Sequence, residues 1–217
     1  MIGGIMNIVV AGMMGAGKTT YTNQLAKWYQ LEPLWEAVKE NWLLEKFYHE
    51  PKEWGFQLQL FFLNDRFEGM KRALQEGDFI LDRSIYEDEV YAATFQKMEY
   101  MKDVEYQLYQ DILQKFIHFL EQEAEEEPID YLIYLEGSFE TILERIKERN
   151  RDYEQLEEGC HRYEYYKTLY DAYCAWYEQY QGPKLKIDID EWRIIEEPEK
   201  VQAFIEKEIP QLKKYRK

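Results

Sequence analysis

The chain has 217 residues, 46% hydrophobic and 32% charged, enough for one domain with a proper core. Its formal net charge of -16 describes a surface that repels nucleic-acid polymers and anionic membranes. No apolar run reaches the ~18 residues a membrane span needs. Two distant cysteines, Cys160 and Cys174, show no C-x-x-C or metal spacing and read as a reduced, cytoplasmic protein.

The start, MIGGIMNIVVAGMM, lacks a basic n-region and is interrupted by Gly3 and Gly4. It reads as a buried strand rather than a leader, with Met6 a candidate native start. A strand is predicted over Asn7–Gly12, a helix over Gly17–Gln30 and a short strand over Leu34–Val38. Helices follow over Leu43–Tyr48 and Trp54–Gln75, the second ended by Gly77. Next come a strand over Phe79–Arg83 and helices over Ile85–Lys97 and Val104–Gln122. The acidic Glu121–Pro128 reads as a solvated helix end and turn. Then come a strand over Tyr131–Gly137, a helix capped by Ser138, and a long aromatic helix over Gly159–Gln181. A strand over Lys184–Ile189 and a helix over Pro198–Ile209 finish the chain. Strands alternating with helices predict βαβ units, a parallel sheet of about five strands and one α/β domain over 1–217.

The stretch GMMGAGKTT, from Gly12 to Thr20, falls at the first strand–helix junction. Gly12, Gly17, Lys18 and Thr19 satisfy G-x-x-x-x-G-K-[ST], and Gly15 and Thr20 lie in the same stretch. Glycines let backbone N–H groups turn toward phosphate oxygens, and the helix N-terminus adds partial positive charge. Lys18 suits the β/γ-phosphates and the Thr19 hydroxyl suits Mg²⁺. A chance glycine turn has no reason to sit at this junction. The predicted fold is therefore a three-layer P-loop NTPase-type sandwich binding a nucleoside triphosphate. No guanine-reading N-K-x-D is present, and a motor needs more chain. What remains is a small kinase, which needs an acceptor site, a base and a lid.

Glu36 is predicted near a strand C-terminus, where ligands meet open parallel sheets. There a carboxylate can take a proton from an attacking hydroxyl; alone, it reads equally as a surface glutamate. Asp82 and Arg83 end the next strand. They read as a Mg²⁺ ligand beside a cation for developing phosphoryl charge, or as an ion pair closing the strand. Arg145, Arg149 and Arg151 cluster in an acidic chain, just before a Glu-Glu-Gly. Their i,i+4 neighbours are like-charged, so helix pairing explains them poorly, and a lid over about 148–158 explains them better.

Six stretches, in this order, resemble the deoxynucleoside kinase family, in particular its bacterial deoxyadenosine/deoxyguanosine kinases. They are GMMGAGKTT, WEAVKENWLLEKFYHEPKEWGFQLQLFFLNDRF, LDRSIYED, YLIYLEG, ERIKERNRDYE and YYKTLYDAYCAWY. The resemblance implies that Glu36 deprotonates the 5′-hydroxyl, with Arg83 beside the reacting oxygen and Asp82 in the acidic position before it. It implies that Tyr48 and Glu154 hold the sugar 3′-hydroxyl and favour a 2′-deoxyribose. It implies that Gln59 bonds the base edge and that Arg145, Arg149 and Arg151 are lid arginines. Arg66 and Asp88 match positions that accompany purine or cytosine rather than thymine. A homodimer is also implied. Two positions depart from the pattern. Ala37 stands where a proline usually follows the base, and Ala92 where a base-stacking Phe is usual, with Tyr91 and Phe95 nearby.

Tyr163, Tyr166, Tyr170, Tyr173, Tyr177 and Tyr180 recur at three and four spacing and read as a packing stripe. The Val104–Gln122 helix is apolar on two sides. Leu108, Ile112, Phe116 and Phe119 form one, and Leu113, Ile117 and Leu120 the other, so one side is expected to meet a second subunit. His49, His118 and His161 show no ligand spacing, so no metal beyond Mg²⁺ is expected. The resulting reading is ATP-dependent 5′-phosphorylation of deoxyadenosine or deoxyguanosine to the monophosphate, a nucleotide-salvage step. The alternatives are a nucleoside monophosphate kinase of thymidylate kinase type and a non-catalytic P-loop nucleotide-binding regulator.

Overall fold

Ile8, Val9 and Val10 are fully buried, as a strand covered on both faces requires. They belong to β1 (Asn7–Ala11), the middle strand of a five-stranded parallel sheet in a computed structural model that describes residues 6–36, 41–124, 127–156 and 161–215. β3 (Phe79–Asp82) and β4 (Tyr131–Glu136) flank it, and β2 (Glu32–Leu34) and β5 (Lys184–Asp188) form the edges. Val10 stands opposite Asp82 on one side and Ile133 on the other. The chain runs from β1 outward to β2, back through β3, then across to β4. This reversal around β1 opens a crevice at the carboxyl ends of β1 and β3.

The second strand lies earlier than its sequence suggests: β2 ends at Leu34 and Trp35 is already 45% exposed. Glu36 therefore projects from the segment after β2. The expected strand end at Ala37 and Val38 lies outside the described residues, as do Gly159, Cys160, the end of the predicted lid and the first five residues.

The helices are α1 (Lys18–Tyr29), α2 (Trp42–His49), α3 (Pro51–Glu76) and α4 (Asp88–Lys97), then α5 (Asp103–Glu123), α6 (Phe139–Glu148), α7 (Arg162–Gln179) and α8 (Pro198–Glu208). α3 starts before Trp54 because Pro51 fits the first turn, where its missing N–H costs nothing. Ser138 caps α6 by accepting from Thr141 N at 3.3 Å. A 3₁₀ turn over Ile85–Glu87 precedes α4, and another, unexpected from the sequence, covers Pro210–Tyr215.

α7 buries Tyr166, Tyr173 and Tyr177, whereas Tyr163 is 55% exposed. The Tyr177 ring stacks on Tyr134 of β4 at 4.6 Å. Tyr165, outside the expected stripe, is buried as well, so the covered face of α7 is wider than the stripe. α5 buries Tyr109, Leu113 and Leu120, and Phe116 stacks on Phe67 of α3 at 4.1 Å. Val104, Leu108 and Phe119 remain exposed, with the Phe119 ring meeting Phe67 edge-on at 5.7 Å. Among the described residues no helix is long and apolar enough to cross a membrane.

Candidate active site

The loop after β1 is shaped by its glycines. Gly12, Gly15 and Gly17 all have positive φ, and a Cβ on Gly12 would sit 2.7 Å from the Leu135 carbonyl oxygen. Gly17 precedes α1, whose first turn carries no acidic side chain to neutralise the helix's positive end. The Lys18 ammonium donates to the Gly12 and Met13 carbonyl oxygens at 2.9 and 3.0 Å. Burial, reinforced by Arg83, pushes Lys18 down to about 8 despite nearby Asp82, Glu87 and Glu36.

The Thr19 hydroxyl donates to Asp82 Oδ2 at 2.7 Å, which joins the loop to the end of β3. Asp82 Oδ1 is buried with no hydrogen-bond partner among the described residues. Burial raises the Asp82 carboxyl above its ordinary range, against the pull of Lys18. Thr20 is exposed on the same cavity wall.

Arg83 was expected within the strand. β3 instead stops at Asp82, and Arg83 turns into a left-handed conformation at φ 78°. The turn sends its side chain into the crevice. Its buried guanidinium donates to the Tyr173 and Tyr91 hydroxyls at 2.5 and 2.6 Å, and its Nε lies 3.3 Å from Glu36 Oε2. The other Glu36 oxygen accepts from Arg66 Nη1 at 2.7 Å. Burial alone would raise Glu36, but Arg83, Arg66, Lys18 and Arg151 together hold it below the usual carboxylate range.

Arg66 also pairs with Asp88, whose carboxyl burial pushes up to about 6 against Arg66's opposing pull. Gln59 is buried, and its carbonyl oxygen has no hydrogen-bond partner among the described residues. Gln59 lines the cavity, and a buried amide oxygen without a protein partner is a group that a ligand donor can satisfy. The Phe95 ring lines the same cavity and stacks on Phe47 at 4.5 Å. Ala92 is fully buried and does not line the cavity, whereas Tyr91 and Phe95 of the same helix do.

The Tyr48 hydroxyl lies 3.5 Å from the Met14 sulfur, and its ring meets Tyr153. Glu154 is buried in a 3₁₀ turn over Asp152–Glu154, with its backbone oxygen accepting from the Tyr166 hydroxyl at 2.7 Å. The three clustered arginines divide. Arg149 and Arg151 both pair with the Glu154 carboxylate, whereas Arg145 donates to the Ala16 carbonyl oxygen at 3.2 Å, over the phosphate loop.

Every candidate residue named from sequence lines one cavity of about 1220 Å³ except Gly12 and Asp88. Asp88 stands behind Arg66, and Gly12 packs against Leu135. Sequence reasoning missed the far wall, built by Ile189, Asp190, Trp192, Arg193, Ile194 and Ile195 after β5. The available signal was position, since a segment leaving the carboxyl end of a parallel strand faces the crevice. It also missed the Tyr173 and Glu87 contacts around Arg83.

A glycine-shaped anion cradle facing a half-buried carboxylate between two arginines, on a 2-3-1-4-5 parallel sheet, has the build of a small P-loop phosphotransferase. The deoxynucleoside kinase family model matches residues 8–212, and the chain belongs to that family of kinases. It is 36% identical over 207 residues to a deoxyguanosine kinase of Lactobacillus johnsonii, covering 95% of this chain and 92% of the relative. It is 33% identical over 205 residues to a deoxyadenosine/deoxycytidine kinase of Bacillus subtilis, covering 92% and 89%. A solved structure of deoxyadenosine kinase from M. mycoides with products dCMP and dCDP superposes with a TM-score of 0.79 at 27% identity, covering 93% of this chain and 100% of that one.

Proposed function

We propose that the protein transfers the γ-phosphoryl group of ATP to the 5′-hydroxyl of a purine deoxynucleoside, deoxyadenosine or deoxyguanosine, giving the 5′-monophosphate. The observation that carries this reading is Glu36, held between Arg66 and Arg83 in the cavity that also contains Lys18 and Thr19. The loop N–H groups, the N-terminus of α1 and Lys18 would hold the triphosphate. Glu36 would accept the 5′-hydroxyl proton as the oxygen attacks the γ-phosphorus and ADP leaves. Arg83 and Arg145 would stabilise the charge spread over the transferring oxygens. Gln59 and the Arg66–Asp88 pair would read the base, with Phe95 as its stacking wall. Tyr48 and Glu154 would hold the 3′-hydroxyl and crowd a ribose.

Mg²⁺ fits this donor set. Asp82 Oδ1 is buried and unpaired among the described residues, beside the Thr19 hydroxyl. Thr19 and Asp82 would hold the ion, and it would neutralise phosphate charge.

A nucleoside monophosphate kinase would need cations for an acceptor phosphate, yet Arg66 and Arg83 both face carboxylates here. A non-catalytic regulator has no use for a Glu36 held between two arginines in the cavity of the phosphate loop. We also read the protein as cytoplasmic and homodimeric through the exposed apolar side of α5, where Val104, Leu108 and Phe119 lie. Light scattering at micromolar concentration is expected to give twice the chain mass; a monomer would rule the dimer out. The activity is tested by incubating the protein with ATP, Mg²⁺ and deoxyguanosine or deoxyadenosine. A 5′-monophosphate, identified by chromatography, is expected, and no product with either nucleoside would reject the reading.

A further inference from the structure

The 3₁₀ turn between β3 and α4 carries Glu87, only 1% exposed, and the proposed chemistry leaves it unused. Its Oε1 accepts from Ser84 N at 3.2 Å, an ordinary helix cap. A cap explains one oxygen and says nothing of the other. Oε2 accepts from the Tyr173 hydroxyl at 2.8 Å and lies 3.4 Å from Gly12 N and 3.7 Å from Arg83 Nη1. One carboxylate thus touches the root of the phosphate loop, the turn behind β3, and α7.

Hydrogen-bond direction then follows from proton counting. A tyrosine hydroxyl has one proton, and a guanidinium can only donate. The Tyr173 proton therefore points to Glu87, and the Tyr173 oxygen presents its lone pairs to Arg83 Nη1 at 2.5 Å. Burial raises the Tyr173 hydroxyl well above the ordinary tyrosine range, so it keeps this proton at neutral pH. The Arg83 backbone, left-handed at φ 78°, does not fix the guanidinium by itself.

We infer that Glu87 and Tyr173 form a polarised relay that positions the Arg83 guanidinium beside the phosphate loop, making both of them positioning residues for phosphoryl transfer. The inference rests on the reading of Arg83 given above. Glu87 orients Tyr173, Tyr173 fixes one arm of Arg83, and Tyr91 fixes the other at 2.6 Å. Glu87 also ties the relay to Gly12, so the loop and the arginine share one support. A group that acts on the transferring oxygens loses rate when it is misplaced by even a fraction of its contact distance.

The test uses the full-length enzyme, with kcat, both KM values and Tm measured for Glu87→Gln, Tyr173→Phe, the double variant and Arg83→Lys. Tyr173→Phe keeps the ring and its packing. Each relay variant is expected to lower kcat by about 10-fold, the scale of one hydrogen bond to a charged group. Both KM values should stay within about twofold, since neither residue binds substrate directly. The double variant should be no slower than the slower single one, because the relay breaks only once.

Independent, multiplying losses would overturn the inference, as would wild-type kcat in Tyr173→Phe, or kcat and KM that simply track a lost Tm. If Glu87→Gln does not fold, Tyr173→Phe alone decides by the same split between kcat and KM. If Arg83→Lys is inactive while the relay variants are fully active, the relay is wrong and Arg83 stands. If Arg83→Lys keeps wild-type kcat, the reading of Arg83 falls and the relay with it.

Discussion

Replacing Glu36 by Gln keeps the shape of the side chain and removes its capacity to hold a proton. A positioned general base contributes roughly 10²–10⁴-fold. Two features place Glu36 at the low end of that range. Arg66 at 2.7 Å and Arg83 at 3.3 Å hold its carboxyl below the ordinary range, which makes it a weaker base. Phosphoryl transfer also has a loose transition state that demands little from the nucleophile. The expected fall in kcat is therefore about 10²-fold, or about 2.7 kcal/mol of barrier. The fold should survive, because Arg66 keeps Asp88 and Arg83 keeps Tyr91 and Tyr173. ATP affinity should change little, since the phosphate loop is untouched. Steady-state kinetics with deoxyguanosine, together with calorimetric ATP titration, reads both quantities. A near wild-type kcat, or a loss confined to ATP binding, would refute the role of Glu36 and the acceptor-site account built on it.

Lys18→Ala should abolish phosphotransfer by removing the cation aimed at the β/γ-phosphates. In the wild-type enzyme burial pushes Lys18 down to about 8, so kcat/KM for ATP should decline as pH rises through about 8 and the ammonium loses its charge. A flat profile to pH 9.5 would contradict this. Far from the site, exposed Gln30 ends α1 in a left-handed conformation at φ 56°. Gln30→Gly should relieve a steric cost of ~1–2 kcal/mol, partly offset by ~0.5–1 kcal/mol of added unfolded-chain entropy. The net is a Tm rise of about 2 °C by calorimetry with unchanged activity; a lower Tm would refute the cap argument.

The phosphate loop was the most legible part of the sequence, because glycine spacing, a strand before it and a helix after it are all local signals. The alternation of strands and helices likewise predicted the parallel sheet, and all five strands are present. β2 was misplaced because Leu34, Trp35 and Val38 look like a strand core while Pro33 looks like an interruption. As an edge strand with one neighbour, β2 tolerates the proline and releases Trp35 to the cavity mouth. The turn at Arg83 was hidden because a non-glycine residue gives no local sign of positive φ. The stripe of tyrosines on α7 was readable as packing, but only the assembled fold puts Tyr173 against Arg83, 90 positions away in sequence. The arginine cluster could be counted in sequence, yet its division between Glu154 and the Ala16 carbonyl depends on the turn over Asp152–Glu154.

The central proposal, a 5′-kinase of purine deoxynucleosides, is tested most directly by one panel. Deoxyadenosine, deoxyguanosine, deoxycytidine and thymidine are each offered with ATP and Mg²⁺, and kcat/KM is measured for all four. A deoxynucleoside monophosphate should form, with deoxyadenosine or deoxyguanosine leading. Thymidine should be at least about tenfold poorer, because the buried Gln59, Arg66 and Asp88 groups would be left mispaired. Thymidine phosphorylated as well as the better purine would contradict the assignment of those three residues. No phosphorylation of any of the four would contradict the account as a whole.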